Sequence, residues 1–269
     1  MVKGLEKFKE HFAGFEDNYV IIGGTACDIV LRDTDMRPRA TDDIDMILVI
    51  EKMTPEFGQC FWDFIVLGEY VTRQRKREEK EPVTELFRFI NPKEGFPVQI
   101  ELLSKYPDIL GEPTGFHLTP IPIGEEIPSL SAILLDEEYY NQVVGSSIVE
   151  DDIRIANPLS LLCLKVKAFL NLTEEKKTNS DVRSSDIKKH RDDVFKLLAM
   201  RIDPFTPVEL STTMKNELAT FISMMEGSLP NQSLRDSLQR TDSDIQGYLD
   251  IMKEIFGIEV VLTNLNLLK

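Results

Sequence analysis

The stretch RATDDIDMILVI, residues 39–50, sets charged and polar residues in front of a run that is almost wholly apolar. The run reads as a buried strand. In a strand, side chains alternate between the two faces, so Asp43 and Asp45 share one face while Ile44 and Met46 take the other. Two carboxylates one residue apart repel each other, and an ionised carboxylate taken out of water without a partner is costly. Something positive has to stand between them.

Upstream, NYVIIGG (18–24) is a β-branched run closed by two glycines, a strand entering a tight turn. TACDIVLRDT then carries apolar residues at helical spacing and ends before Pro38. Gly23 and Gly24 therefore end a strand and open a helix. Such a junction aims backbone N–H groups and a helix dipole at an anion, and glycine lets a phosphate approach without a Cβ in the way. The Thr25 hydroxyl is a further candidate donor.

Downstream, TPEFGQCFWDFIVLGEY (54–70) is a helix with Thr54 as N-cap and Pro55 at its first position. Its aromatic residues, Trp62 with Phe57, Phe61 and Phe64, read as core. VTRQRKREEKEP (71–82) is a charge run, either a solvated loop or a basic patch through Arg73, Arg75, Lys76 and Arg77. TELFRFINP (84–92) and FPVQIELLS (96–104) read as a hairpin, and the pieces from 105 to 156 as further short strands. If the strand at 96–104 neighbours 43–50, Glu101 joins Asp43 and Asp45 on one face. Three carboxylates there make a hard-oxygen site suited to Mg²⁺ or Mn²⁺. Glu101 has the better strand parity, with Glu85 as the alternative third carboxylate.

From Asn157 onward helical patterns dominate. The expected organisation is an α/β part over 1–156 and an α-helical part over 157–269, packed together. At 269 residues there is chain enough for a sizeable core. A net charge of −15 argues against a broadly basic nucleic-acid surface. No apolar run reaches the ~20 residues that span a bilayer. Three cysteines, odd in number and without a C-x-x-C, fit a reducing compartment and a cytoplasmic protein rather than a disulfide framework or zinc site. The three histidines have no ligand spacing.

Strand, Gly-Gly and helix, then R-x-T-x-D-h-D, then a later strand with a third acid, together resemble the nucleotidyltransferase superfamily. Gly23, Gly24, Arg39, Thr41, Asp43, Asp45 and Glu101 stand at its motif positions. The wording is most similar to the AbiEii-like branch, whose members include toxins of toxin–antitoxin systems. LLCLKVKAFL resembles that branch's lysine-bearing helix and places Lys165 at the family lysine. DIKKHRDDVFKLL resembles its closing acidic helix and maps onto Asp193, less well Asp192, with Lys196 where the branch carries another acid. The resemblance covers roughly residues 18–200.

What it implies is a nucleotidyltransferase fold, a mixed sheet flanked by helices with an α-helical C-terminal domain, and Mg²⁺- or Mn²⁺-dependent transfer of a nucleoside monophosphate from an NTP. The acceptor is an RNA end, a protein or a small molecule, and an antitoxin protein is an implied partner. Asp43 and Asp45 would bind metal, Glu101 would complete the metal site and favour deprotonation of the acceptor, and Gly23, Gly24 and Thr25 would hold phosphates. Lys165 would add charge to the triphosphate, and Arg39 would contact a phosphate or brace Asp43. The alternative is a non-catalytic nucleotide- or partner-binding module of the same fold. A metal-dependent nuclease is disfavoured because it needs no triphosphate seat.

Overall fold

The computed structural model of the chain describes residues 2–32, 34, 41–72, 85–104, 136–199 and 209–258. The chain divides into two compact units, Met1–Leu164 and Lys165–Lys269. The first is an α/β fold built on a mixed sheet flanked by helices. Its elements are α1 (Leu5–Phe12), β1 (Tyr19–Ile22), α2 (Gly23–Leu31), β2 (Asp43–Leu48), α3 (Pro55–Leu67), β3 (Val71–Thr72), β4 (Glu85–Ile90), β5 (Gln99–Ser104), α4 (Glu137–Gly145), β6 (Ile148–Glu150) and β7 (Ile153–Ile155). The helix α5 (Pro158–Glu175) carries the chain across the division.

The seven described strands form one sheet in the order β3-β4-β5-β2-β1-β7-β6. β2 pairs with β5 and β1 with β7 in parallel, and the remaining neighbours are antiparallel. The hairpin expected over 84–104 is the β4–β5 pair. One face of the sheet is the core. Ile44, Met46, Ile100, Leu102 and Phe89 are buried on it, together with Tyr19 of β1. α1 and α3 supply the aromatic layer beneath, where Phe8 meets Tyr19 edge-on at 5.5 Å and Phe61 meets Phe89 at 5.5 Å. Truncating one such buried ring to Ala costs about 3–5 kcal/mol.

Local chemistry sets the element ends. Thr54 caps α3, its hydroxyl accepting from the Phe57 N–H at 3.2 Å, with Pro55 at the first position as expected. Asn157 opens α5 by accepting from the N–H groups of Leu159 and Ser160. One expectation is corrected. Residues 137–145 lie within a stretch read as short strands, yet they form the helix α4, started by the Asp136 carboxylate accepting from Glu138 N–H at 2.9 Å.

In the second unit the described elements are the rest of α5, then α6 (Ser184–Ala199), α7 (Thr212–Glu226), α8 (Gln232–Leu238) and α9 (Asp242–Phe256). Phe195, Leu218, Phe221, Ile222, Leu249 and Met252 form its apolar interior. α9 begins with a reciprocal capping box between Thr241 and Asp244. Among the described residues no helix is long and apolar enough to cross a membrane.

Candidate functional site

The β2–β5 register puts Asp43 opposite Gln99 and Asp45 opposite Glu101. The β4–β5 register puts Arg88 opposite Glu101, and the β1–β2 register puts Ile22 opposite Asp45. One row across four strands therefore reads Ile22, Asp45, Glu101, Arg88. Strand alternation aims this row at the face opposite the aromatic core. Glu85, the alternative third acid, pairs with Ser104, three register positions from Glu101. The ladder thus brings Glu101, and not Glu85, beside Asp45.

Glu101 is only 3% exposed. Its Oε1 accepts from Arg88 Nε at 2.8 Å and from Gln99 Nε2 at 2.8 Å. Burial pushes the Glu101 carboxyl up to about 7, and the negative charge of Asp45 adds to the rise. Arg88 opposes it by attraction and by its hydrogen bond, and Asp43 raises it slightly further. Even with a guanidinium in contact, the two aspartates and the low polarity of the site outweigh the cation.

The glycines at the start of α2 have a steric reason on the page. Gly23 has φ +72°, and a Cβ built on it would lie 2.0 Å from Asp45 Oδ2. A Cβ on Gly24 would lie 2.8 Å from Thr41 Oγ1. The Asp45 carboxylate thus rests against the first residue of α2, at the end where the helix dipole favours negative charge. Thr25 is buried and its hydroxyl donates to the Asp43 carbonyl oxygen, tying α2 to β2. That proton, expected to be a donor to phosphate, is engaged with the backbone.

Lys165 and Asp193 are brought to each other. Lys165 Nζ lies 2.9 Å from Asp193 Oδ2 within the second unit, and both side chains are buried. Asp192 accepts from Arg191 and from Ser237. Arg39 and the charge run from 73 to 82 lie outside the described residues.

Arg88 and Gln99 are the residues that sequence reading missed. The available signal was a single cation inside an otherwise apolar strand, FRFI, on the face that the acid-bearing neighbour would share. The donors on this face are hard carboxylate oxygens, a type that suits a divalent cation. Asp43 and Asp45 fit that role, whereas the Glu101 oxygen that is hydrogen-bonded is held by Arg88 and Gln99. Among the described residues no three His, Cys, Asp or Glu side chains gather closely enough to hold a metal ion. No family model matches the chain, and no curated protein does.

Proposed function

We propose that the chain is a metal-dependent nucleotidyltransferase that moves a nucleoside monophosphate from an NTP to an acceptor hydroxyl, with RNA ends, proteins and small molecules as the acceptor classes. The observation that carries the reading is the row Asp45–Glu101, with Asp43 on the same face, set against the Gly23–Gly24 start of α2. A triphosphate placed at that helix end meets backbone N–H groups and the positive end of the dipole. It also meets the Asp45 carboxylate, and two anions share that space only with a cation between them. Asp43 and Asp45 would hold Mg²⁺ or Mn²⁺, which supplies charge neutralisation at the phosphates and acidifies the acceptor hydroxyl.

In this reading the acceptor oxygen bonds to the α-phosphorus, the bond to pyrophosphate breaks, and the hydroxyl proton leaves to a base. Glu101, with its carboxyl near 7, is matched to that task at neutral pH. Thr25 fixes the spacing of α2 and β2 through the Asp43 carbonyl, so that the phosphate-binding turn and the acids move as one piece. The AbiEii-like resemblance extends the proposal to a toxin with an antitoxin partner, acting in the cytoplasm; Lys165 and Asp193, which it offers as further nucleotide-binding residues, are buried and engaged with each other.

A second reading, a non-catalytic nucleotide- or partner-binding module, is favoured by the ion pair that engages Glu101. Transfer of label from each α-labelled NTP, with Mg²⁺ or Mn²⁺, onto total cellular RNA and protein separates the two. The proposal expects label with the wild-type chain and none with Asp43→Ala/Asp45→Ala. Label in neither, with NTP binding unchanged in the double variant, would establish the module.

A further inference from the structure

Arg88 enters the acid row from β4 and is held there at one point. Its Nε–H donates to Glu101 Oε1 at 2.8 Å, and the Gln99 amide donates to that same oxygen. Among the described residues the two terminal amino groups of the guanidinium make no hydrogen bond or ion pair. The side chain is only 12% exposed, yet its amino nitrogens reach solvent. Glu101 thus fixes the plane of a guanidinium whose fork of donors stays open, and that planar fork matches the oxygens of a phosphate.

The surroundings favour one kind of phosphate. Ile90 has the strand parity of Arg88 and pairs with Val71 on one side and Gln99 on the other. The next row across this face therefore reads Asp43, Gln99, Ile90, Val71. Val71 is 48% exposed and Ile90 half-buried, which puts open apolar surface beside the cation. Asp45 stands two strands from Arg88 with Glu101 between them. At sheet spacing that is about 10 Å, roughly one Debye length, so its repulsion of an anion at Arg88 is much reduced. The start of α2 lies beyond Asp45, next to β1, and is a separate place.

We propose that Arg88 is a phosphate-binding residue, its amino groups taking the phosphate of a nucleotide, either free or at the end of a nucleic-acid strand, while Val71 and Ile90 carry the attached nucleoside. This rests on the nucleotidyl-transfer reading for the choice of a nucleotide, but needs neither metal nor turnover. Glu101 stays on Nε as the fixed counter-ion, so neither largely buried charge loses its partner.

The test is run in EDTA on the full chain. Each nucleoside monophosphate and a short single-stranded RNA of random sequence are titrated against wild type, Arg88→Lys, Arg88→Gln and Arg88→Gln/Glu101→Gln. Loss of the charge-assisted hydrogen bonds weakens binding at least about tenfold in Arg88→Gln. The double variant, which leaves no carboxylate at 101 without its cation, shows the same loss. Arg88→Lys recovers only part of it, because an ammonium does not present the fork. Weakening confined to the monophosphates places a free nucleotide on Arg88, and weakening confined to the RNA places a strand there. Equal affinities in wild type and Arg88→Gln, or no binding of either probe by wild type, overturn the proposal.

A measurement on the unaltered chain guards against a variant that fails to fold. The Arg88 Nε–H resonance is followed during titration with each nucleoside monophosphate and with the uncharged nucleoside. It should shift with the monophosphate and not with the nucleoside. A response confined to the amides of Gly23 and Gly24 overturns the Arg88 seat while leaving the transfer reading standing. A response at Arg88 in a chain that transfers no label keeps the seat and removes the transfer reading.

Discussion

Arg88 Nε lies 2.8 Å from Glu101 on the sheet, and Lys165 Nζ lies 2.9 Å from Asp193 in the helical unit. The distances are alike and all four side chains are largely buried, yet the settings differ. Lys165 and Asp193 join α5 to α6 within the second unit, where Val166, Val194 and Phe195 of the same helices are buried apolar residues. The pair fastens two helices. Glu101 shares its face with two more acids on the next strand, and burial first, then their charges, raise its pKa against the pull of Arg88. The separation of an ion pair therefore says little about its role. What distinguishes the two pairs is the like-charged carboxylates that face Glu101 from the neighbouring strand.

The sharpest way to break this comparison is to remove the cation from the fastening. Lys165→Ala removes the lysine paired with the buried Asp193 carboxylate and is expected to cost about 3–5 kcal/mol in urea denaturation. Lys165→Met/Asp193→Leu, which replaces both charges by apolar bulk, should recover most of that loss. If the single variant is as stable as wild type, the pair is no fastening and the contrast collapses.

On the sheet the expected behaviour is opposite in kind, a dependence on pH. The Glu101 carboxyl in the folded chain titrates near 7, whereas its ordinary value is 4.5. Between these values the folded state holds a proton that the unfolded state has lost. The Glu101 contribution to stability is therefore greatest below about pH 4.5 and falls as pH rises towards 7, by about 3 kcal/mol. Thermal unfolding of wild type and Glu101→Gln from pH 4.5 to 8 checks this. The variant should lack that part of the slope, and parallel curves would show that Glu101 is an ordinary carboxylate.

Two smaller effects bracket the site. Gly23→Ala forces a side chain into a positive-φ position and against Asp45 Oδ2, and should cost about 1–3 kcal/mol while displacing the carboxylate. Calorimetry together with Mn²⁺ binding would show both losses, and a stable variant with unaltered binding would place Asp45 outside the metal site. Thr54→Ala removes the cap of α3, far from either pair in function, and should cost about 1 kcal/mol in the same melts with Mn²⁺ binding untouched.

Much of this frame was legible in the sequence. Glycine punctuation and strand alternation pointed to β1, α2, β2 and β5, and alternation alone put Asp43, Asp45 and Glu101 on a common face once β2 and β5 are neighbours. Arg88 was not legible, because its partner depends on the register of the β4–β5 hairpin, which no local pattern fixes. The α4 helix was misread because Tyr139, Tyr140, Val143 and Val144 favour strands locally, whereas the Asp136 cap and two glutamates in the first turn favour the helix that burial of the tyrosines completes. The engagement of Lys165 with Asp193 was hidden for a similar reason. Its partner lies 28 residues away on another helix.

The most direct test of the central claim is a crystal structure of the full chain grown with Mn²⁺ and an unreactive NTP analogue. The account predicts an anomalous peak between the carboxylates of Asp43 and Asp45, with the triphosphate at the start of α2 beside Gly23 and Gly24. A structure with millimolar Mn²⁺ and analogue present, but with neither bound there, would contradict it.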